Sequence, residues 1–188
     1  MAQVKGVAIL GFIKFIKKYM KDALPKIIAA MPPETRKYMD EHIVLTRWYP
    51  YKLYTDLLKA LDNIAGTGDL SYCVEQGRLS AKHDLSTVYK IFLESVSINT
   101  IMTRSMSMWS SYYDTGRVDF NLPSDNELIY TINEFPDIDI AHVKNVQGWF
   151  EQFMSMSGFK DVKSEIAKCQ CYGDPVTEMK FKFKQKTA

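Results

Sequence analysis

The stretch from Cys169 to Phe183 reads CQCYGDPVTEMKFKF and indicates the fold class. Gly173-Asp174-Pro175 is typical of a turn, because Gly accepts positive φ and Pro fixes its own φ. After the turn, apolar side chains alternate with lysines, which predicts a strand with one buried and one solvated face. We therefore expect a β-hairpin, with Cys169 and Cys171 two residues apart on one face of a strand.

The residues before this hairpin predict a helix and a second strand pair. Asp139 is a good N-cap and Gly158 a good stop, which predicts a helix between them. One extended segment begins near Val118, and after a turn a second extended segment runs from Glu127 to Asn133. Together these elements predict a four-stranded antiparallel sheet covered by the late helix. The helix would bury one apolar face, formed by Val143, Val146, Trp149, Phe150, Phe153 and Met154.

The first two-thirds of the chain is predicted to be mostly helical. Pro25 and Pro33 interrupt or open helices, Pro50 starts one that ends near Gly66, and Ser86 is expected to cap another. The predicted helices span residues 7–22, 33–38, 50–66, 70–82, 87–94 and 98–113. Helices followed by antiparallel hairpins indicate an α+β protein. We expect a single domain over 1–188, with a helical part at 1–115 and a sheet-plus-helix part at 116–186.

Composition excludes several classes of function. The 188 residues carry a net charge of +2 at a pI near 8.3, which is too balanced for a nucleic-acid-binding surface. Three cysteines, an odd number, are typical of a reducing compartment. The apolar run Val7–Ile16 has helical spacing and is too short to cross a bilayer. These features predict a cytoplasmic protein without a membrane span.

Catalytic and metal-binding patterns are weak. No nucleophile elbow, Walker loop, dinucleotide fingerprint or HExxH pattern occurs, so we predict no catalytic residues and favour a non-enzymatic protein. His83-Asp84 resembles a catalytic pair, but a helix cap formed by Asp84 and Ser86 is the favoured interpretation. His142 or His83 as a haem ligand is an alternative, since His is the common axial residue. The guanidinium group of Arg117 is suited to bind a carboxylate or phosphate of a ligand, but a structural ion pair with Asp114 or Glu127 is the favoured interpretation.

The order of the motifs resembles a known family. It is similar to a bacterial family of unassigned function that is abundant in myxobacteria, whose second half resembles the four-vinyl-reductase-type ligand-binding domain. That superfamily includes phenol-sensing domains, a bacteriochlorophyll-synthesis protein, haem-NO-binding relatives and TRAPP subunits. The resemblance implies a homodimer and a small apolar ligand between helices and sheet. It rests on Lys5-Gly6 through Phe15, Trp48-Tyr49-Pro50, His83-Asp84-Leu85-Ser86, Trp109 with Tyr112 to Gly116, and Gly173-Asp174-Pro175.

The zinc pattern of this superfamily is incomplete here. Three cysteines are expected around the turn glycine, and the corresponding positions hold Cys169, Tyr172 and Thr177. A structural zinc needs about four ligands. We therefore expect Cys169 and Cys171 to be buried or half-buried thiols and no cofactor to be bound, with zinc or haem as the alternatives.

The leading hypothesis is a cytoplasmic module that senses a small apolar ligand or assembles with a protein partner. Its predicted ligand-binding residues are aromatic and come from the end of the long helix and from the late helix. For these residues taken alone, a plain hydrophobic core is the favoured interpretation over a pocket. The alternatives are a haem or tetrapyrrole-binding sensor and a TRAPP-like scaffold without a ligand. The predicted ligand-binding residues are Trp109, Tyr112, Tyr113, Trp149, Phe150 and Phe153.

Overall fold

The structure is a computed structural model that describes residues 1–87 and 97–185. The predicted helix at 87–94 therefore lies mostly outside the described residues, as does Lys186. The α+β prediction is confirmed: helices form the first part, and a four-stranded antiparallel sheet forms the second. No helix within the described ranges is long and apolar enough to cross a membrane.

The N-terminal helices surround a small two-stranded sheet. Strands β1 and β2 pair antiparallel, and Pro50 at the end of β2 is the N-cap of α4. Pro25 lies in the first turn of α2, so it opens a helix that is separate from α1, in agreement with its predicted role as a break. The elements are β1 (Gln3–Lys5), α1 (Gly6–Tyr19), α2 (Leu24–Ala30), α3 (Pro33–Arg36), β2 (Trp48–Pro50) and α4 (Tyr51–Ala65), with a 3-10 turn at Lys37–Met39.

Two longer helices follow, α5 (Ser71–Thr87) and α6 (Ile98–Tyr112). Asp62, which is completely buried, accepts the backbone N–H groups of Leu70 and Tyr72 at 2.9 Å and so organises the start of α5. Helix α5 continues without a break through Thr87. The predicted cap by Asp84 and Ser86 is therefore wrong, because both residues lie inside a helix.

The main sheet has the order β3-β4-β6-β5. The strands are β3 (Arg117–Ser124), β4 (Glu127–Asn133), β5 (Lys160–Lys168) and β6 (Thr177–Lys184). The predicted hairpin is confirmed, since β5 and β6 pair antiparallel. Strand β6 lies between β4 and β5 and is therefore an inner strand of the sheet.

Helix α7 (Ile140–Met156) lies between the sheet and α5. Asp139 caps it by accepting the Ala141 N–H, and the chain turns at Gly158 with φ 96°, as the sequence predicted. Phe150 and Phe153 are buried, and the Phe150 ring packs on Tyr130 and Phe181 of the sheet. The predicted contact between the late helix and the sheet is confirmed.

Helices α5 and α7 cross at very short range. A Cβ on Gly148 would lie 1.9 Å from the carbonyl oxygen of Val74, and a Cβ on Gly77 would lie 2.1 Å from that of Asn145. Only glycine permits this approach of two backbones. At the same crossing Asn145 bonds to Gln76, and Arg78 of α5 pairs with Glu151 of α7.

Candidate functional site

His142 lies in the first turn of α7 and is completely buried. Among the residues that the structure describes, five aromatic rings have their centroids within 6.4 Å of the His142 ring, and we call this group the His142 cage. The desolvation of the imidazole lowers the pKa of His142 to about 3, so the ring is neutral at physiological pH. The five rings are those of Tyr51, Tyr54, Trp109, Tyr113 and Phe135.

Hydrogen bonds fix the orientation of the imidazole. The Tyr51 hydroxyl accepts the Asp139 N–H at 3.3 Å and lies 2.8 Å from His142 Nδ1. The Tyr51 hydroxyl and His142 Nδ1 therefore share one hydrogen bond, in which the tautomer of the imidazole decides the donor. Nε2 is buried without a hydrogen-bond partner among the described groups. Asp139 also pairs with Lys59, which connects α4 to the start of α7.

The cage draws its rings from distant parts of the chain. Tyr51 is the first residue of α4, Trp109 and Tyr113 lie at the end of α6, and Phe135 precedes α7. Gly116, with φ 84°, keeps this corner open: a Cβ there would lie 3.0 Å from the Phe135 ring and 3.2 Å from Trp109 Nε1. That indole nitrogen donates to the Thr115 carbonyl at 3.1 Å. Burial raises the pKa values of Tyr51 and Tyr113 well above 10.

The predicted ligand-binding residues fall into two groups. Trp109 and Tyr113 belong to the His142 cage, and Tyr112 lies half-buried beside Tyr113. The other three, Trp149, Phe150 and Phe153, contact one another along α7 and continue into the contact with the sheet. Whether these rings enclose a ligand stays a prediction. The sequence analysis missed Tyr51, Tyr54 and Phe135 as neighbours of His142; the only available signal was the aromatic spacing after Pro50.

His83 lies in the last two turns of α5 and is half-buried. It follows Gln76 by seven residues, which places both on the same face of the helix. Gln76 is buried and bonds to Asn145 of α7, so this face of α5 points into the molecule. His42, in contrast, is exposed in the segment before β2.

Arg117 begins β3 at the solvent surface, with 65% of its side chain exposed. Its guanidinium group lies 3.2 Å from Glu134 and 3.9 Å from Asp119. The expected partners Asp114 and Glu127 are therefore wrong. Asp114 instead accepts the Gln3 N–H at 2.7 Å, which ties the N-terminal strand to the end of α6.

Cys169 and Cys171 form a disulfide in the connection between β5 and β6. The expectation of free thiols on one strand is wrong, because residues Gln170–Tyr172 form a 3-10 turn instead of a strand. Neither sulfur is a thiolate ligand in this state. Within the described ranges no three His, Cys, Asp or Glu side chains are grouped to hold a metal ion.

A cavity of about 260 Å³ lies beside the disulfide. Ile140 and Lys144 of α7 form one wall, Ile166 and Lys168 of β5 another, and Cys169 with Tyr172 the third. The volume is below the range of about 300–1,000 Å³ that is usual for small-molecule sites. Lys144 is engaged through its Nζ, which donates to the Asp69 carbonyl at 2.8 Å.

No family model matches the chain, and no curated protein matches it either. Its structure is similar to solved structures of H-NOX (haem-NO-binding) proteins along nearly the whole length. One is the S. oneidensis H-NOX protein in the Fe(II)NO ligation state, with a TM-score of 0.71 and 8% identity over 96% of this chain and 99% of that chain. The unliganded Fe(II) H-NOX protein from K. algicida gives a TM-score of 0.67 and 11% identity over 98% of each chain.

A third similar structure is an oxygen-binding H-NOX domain related to soluble guanylate cyclases, in its oxygen complex. It has a TM-score of 0.67 and 11% identity over 97% of this chain and 96% of that chain. At such identities the likeness shows the fold. It supports the haem-NO-binding part of the resemblance that the sequence indicated, and the narrower bacterial family stays a prediction.

Proposed function

We propose that this chain is a haem-binding domain that senses a small ligand, with His83 as the axial residue. One observation supports the proposal above all. Over 96–98% of its length, this chain has the same fold as H-NOX proteins, whose descriptions name Fe(II), NO or oxygen. The haem alternative of the sequence analysis thus has more support than a sensor of an undefined apolar ligand. A bound haem would supply an iron centre at which a diatomic gas coordinates.

His142 does not fit an axial role in this structure. Its Nδ1 is engaged by Tyr51, and its ring is enclosed by the aromatic side chains of the His142 cage. An iron ligated at Nε2 would need a bond of about 2 Å and an open ring edge. The described residues around the imidazole leave no such opening, so we assign His142 to holding α4, α6 and α7 together.

His83 fits better on three observations. It is half-buried, it lies on the inward face of α5, and it is at the end of that helix instead of under the tight crossing with α7. Arg117 supplies an exposed guanidinium group whose present partners are also exposed, so it can be redirected to a carboxylate such as a haem propionate.

Haem reconstitution tests the proposal. The purified chain is titrated with haem, and the Soret band is compared between the parent, His83→Ala, His142→Gln and His42→Ala. The proposal expects a stoichiometric Soret band that His83→Ala abolishes or shifts and that His42→Ala leaves unchanged. After reduction, carbon monoxide should shift the band of the parent. A chain that stays colourless refutes haem binding, and loss of the band only in His142→Gln refutes the axial assignment.

The same sample separates the two remaining alternatives. Native mass spectrometry of the freshly purified chain would show a retained apolar guest, if the residues around Trp149 enclose one, or a guest-free mass, if the protein is a TRAPP-like scaffold. It also measures the oligomeric state, for which the homodimer stays our prediction. In a sensor of either kind, the guest would act by stabilising one arrangement of the helices.

A further inference from the structure

We propose that Cys169 and Cys171 are a reversible redox pair that exchanges with small-molecule thiols such as glutathione. The pair lies in the connection between β5 and β6, outside the His142 cage. The proposal does not rest on haem binding. Its basis is the way in which the β5–β6 connection is built around the two sulfur atoms.

The connection holds its shape through hydrogen bonds that do not involve sulfur. The Asp174 carboxylate accepts the Cys169 N–H at 2.8 Å, and the Cys169 carbonyl accepts the Tyr172 N–H at 2.8 Å. The Gln170 N–H donates to Thr177 Oγ1 at 3.1 Å. Gly173 completes the turn with φ 93°, a conformation that suits glycine. Strands β5 and β6 fix both ends of the turn.

This framework keeps the two cysteines together after reduction. Their Cα atoms are 5.2 Å apart, within the range that a disulfide requires. Since the hydrogen bonds that set this distance survive when the S–S bond breaks, the two thiols remain neighbours and can close again intramolecularly. The framework therefore predicts that opening and closing are a two-thiol equilibrium within one folded chain.

As a crosslink, the disulfide contributes little to the stability of the folded protein. A crosslink stabilises a protein mainly by restricting the unfolded chain, and this restriction is smallest for a short loop. Here a single residue separates the two cysteines. The two strands and the turn are already joined by backbone hydrogen bonds, so the fold does not depend on the bond. Exchange is thus compatible with a folded protein.

The atoms and electrons of the exchange balance, and the attack is directed at one of the two sulfur atoms. A thiolate of the small molecule attacks the sulfur of Cys171, which is half-buried, and the S–S bond breaks to release the Cys169 thiolate. A second small-molecule thiol then displaces Cys171 from the mixed disulfide. The chain gains two protons and two electrons, and two small-molecule thiols become one disulfide. Cys169 is 1% exposed and is the poorer target.

Cys73 does not take part. It is buried between α4 and α5, where its Sγ donates to the Leu58 carbonyl. Burial raises the pKa of its thiol to about 12, which keeps it protonated and unreactive. The chain thus has one buried, inert thiol and one exchangeable pair.

Opening of the pair would be transmitted to α7. Cys169 and Tyr172 share the 260 Å³ cavity with Ile140 and Lys144, which lie on either side of His142 in the first turns of α7. A change in the position of Tyr172, a residue that is 73% exposed, alters this cavity without disturbing the core. The redox state is therefore expected to be visible at the start of α7.

The experiment equilibrates the full chain with graded ratios of reduced to oxidised glutathione. Samples are quenched with acid, alkylated with a maleimide under denaturing conditions and measured by intact mass. The proposal expects the count of labelled thiols to rise from one to three in a single two-electron step. The variant Cys73→Ser should keep the same midpoint with counts of zero and two, and Cys169→Ser should form a mixed disulfide with one glutathione at Cys171.

Hydrogen exchange of both redox forms provides the structural readout. We expect faster exchange on reduction at residues 169–174 and at the first turns of α7, with protection of the β3–β4 pair unchanged. Three results would overturn the proposal: thiols that stay reduced at every glutathione ratio, a disulfide that persists at the most reducing ratio, or a loss of protection across the whole sheet on reduction. A loss of protection across the sheet would mean that the disulfide is required for the stability of the fold.

Discussion

Replacement of Gly148 by alanine tests the tight crossing of α5 and α7 that positions the candidate site. The new Cβ would lie 1.9 Å from the Val74 carbonyl oxygen and 2.7 Å from its carbonyl carbon. Both atoms belong to the backbone of α5 and cannot rotate away. To restore an ordinary contact of 3.4 Å, the helices must separate locally by about 1.5 Å.

The magnitude follows from two opposing effects. Alanine is favoured over glycine inside a helix by about 1 kcal/mol. Overpacking of a well-filled interface costs about 1–3 kcal/mol and more where backbone must move. The separation also disturbs the buried bond between Asn145 and Gln76 and the Arg78–Glu151 pair. We expect Gly148→Ala to lower the free energy of unfolding by about 2 kcal/mol, which in a domain of this size lowers the Tm by about 4–8 °C.

Thermal and urea unfolding followed by circular dichroism measure this effect. The matched control is Gly11→Ala in α1, where a Cβ would meet nothing within 4 Å. There the helix propensity acts alone, so we expect the Tm to rise by about 2–4 °C. If Gly148→Ala also raises the Tm, or leaves it unchanged, α5 and α7 are not in backbone contact and the placement of His142 and His83 that we derive from it is refuted.

Two further predictions concern buried polar groups. Burial lowers the pKa of His142 to about 3, from about 6.5 in the unfolded chain, so protonation of this imidazole favours unfolding. The free energy of unfolding should therefore be independent of His142 above pH 6.5. Below pH 6.5 it should fall by about 1.4 kcal/mol per pH unit. Urea midpoints between pH 7 and 5 should show this slope in the parent and not in His142→Gln, and a slope that is the same in both would contradict it. Asp62→Ala should lower the free energy of unfolding by about 2–4 kcal/mol, because it leaves the partly buried N–H groups of Leu70 and Tyr72 without their acceptor. Exposed Asp40→Ala is the control for guanidinium denaturation, and equal midpoints of the two variants would refute the role of Asp62.

Local sequence signals predicted the elements of the second half well. Asp139 and Gly158 bound α7 as expected, and the alternation after Pro175 forms β6. These signals succeed because caps, turns and alternating faces depend on residues that are neighbours in the chain. The end of α5 was predicted wrongly: His83-Asp84-Leu85-Ser86 has good capping residues, yet the helix runs through it. A capping residue permits a helix start but does not require one.

The candidate site was predicted only in part. The sequence indicated His83 and His142 as the two histidines worth testing, but it contained no signal for their different surroundings. His142 is enclosed because Tyr51, Trp109 and Phe135 come together from three distant segments. The pairing of Cys169 with Cys171 was missed for a related reason, since the spacing alone suggested a strand where the chain forms a 3-10 turn.

The amino-acid order by itself determined the α+β class, the final hairpin and the amphipathic helix above it, because each follows from periodicity and turn chemistry within a few residues. Only the tertiary structure decided that β6 is an inner strand, that Gly77 and Gly148 bring two helices into backbone contact, and that His142 is caged while His83 is half-buried. The order of strands and the depth of a side chain depend on contacts between residues far apart in sequence. Such contacts leave no local pattern that a single chain displays.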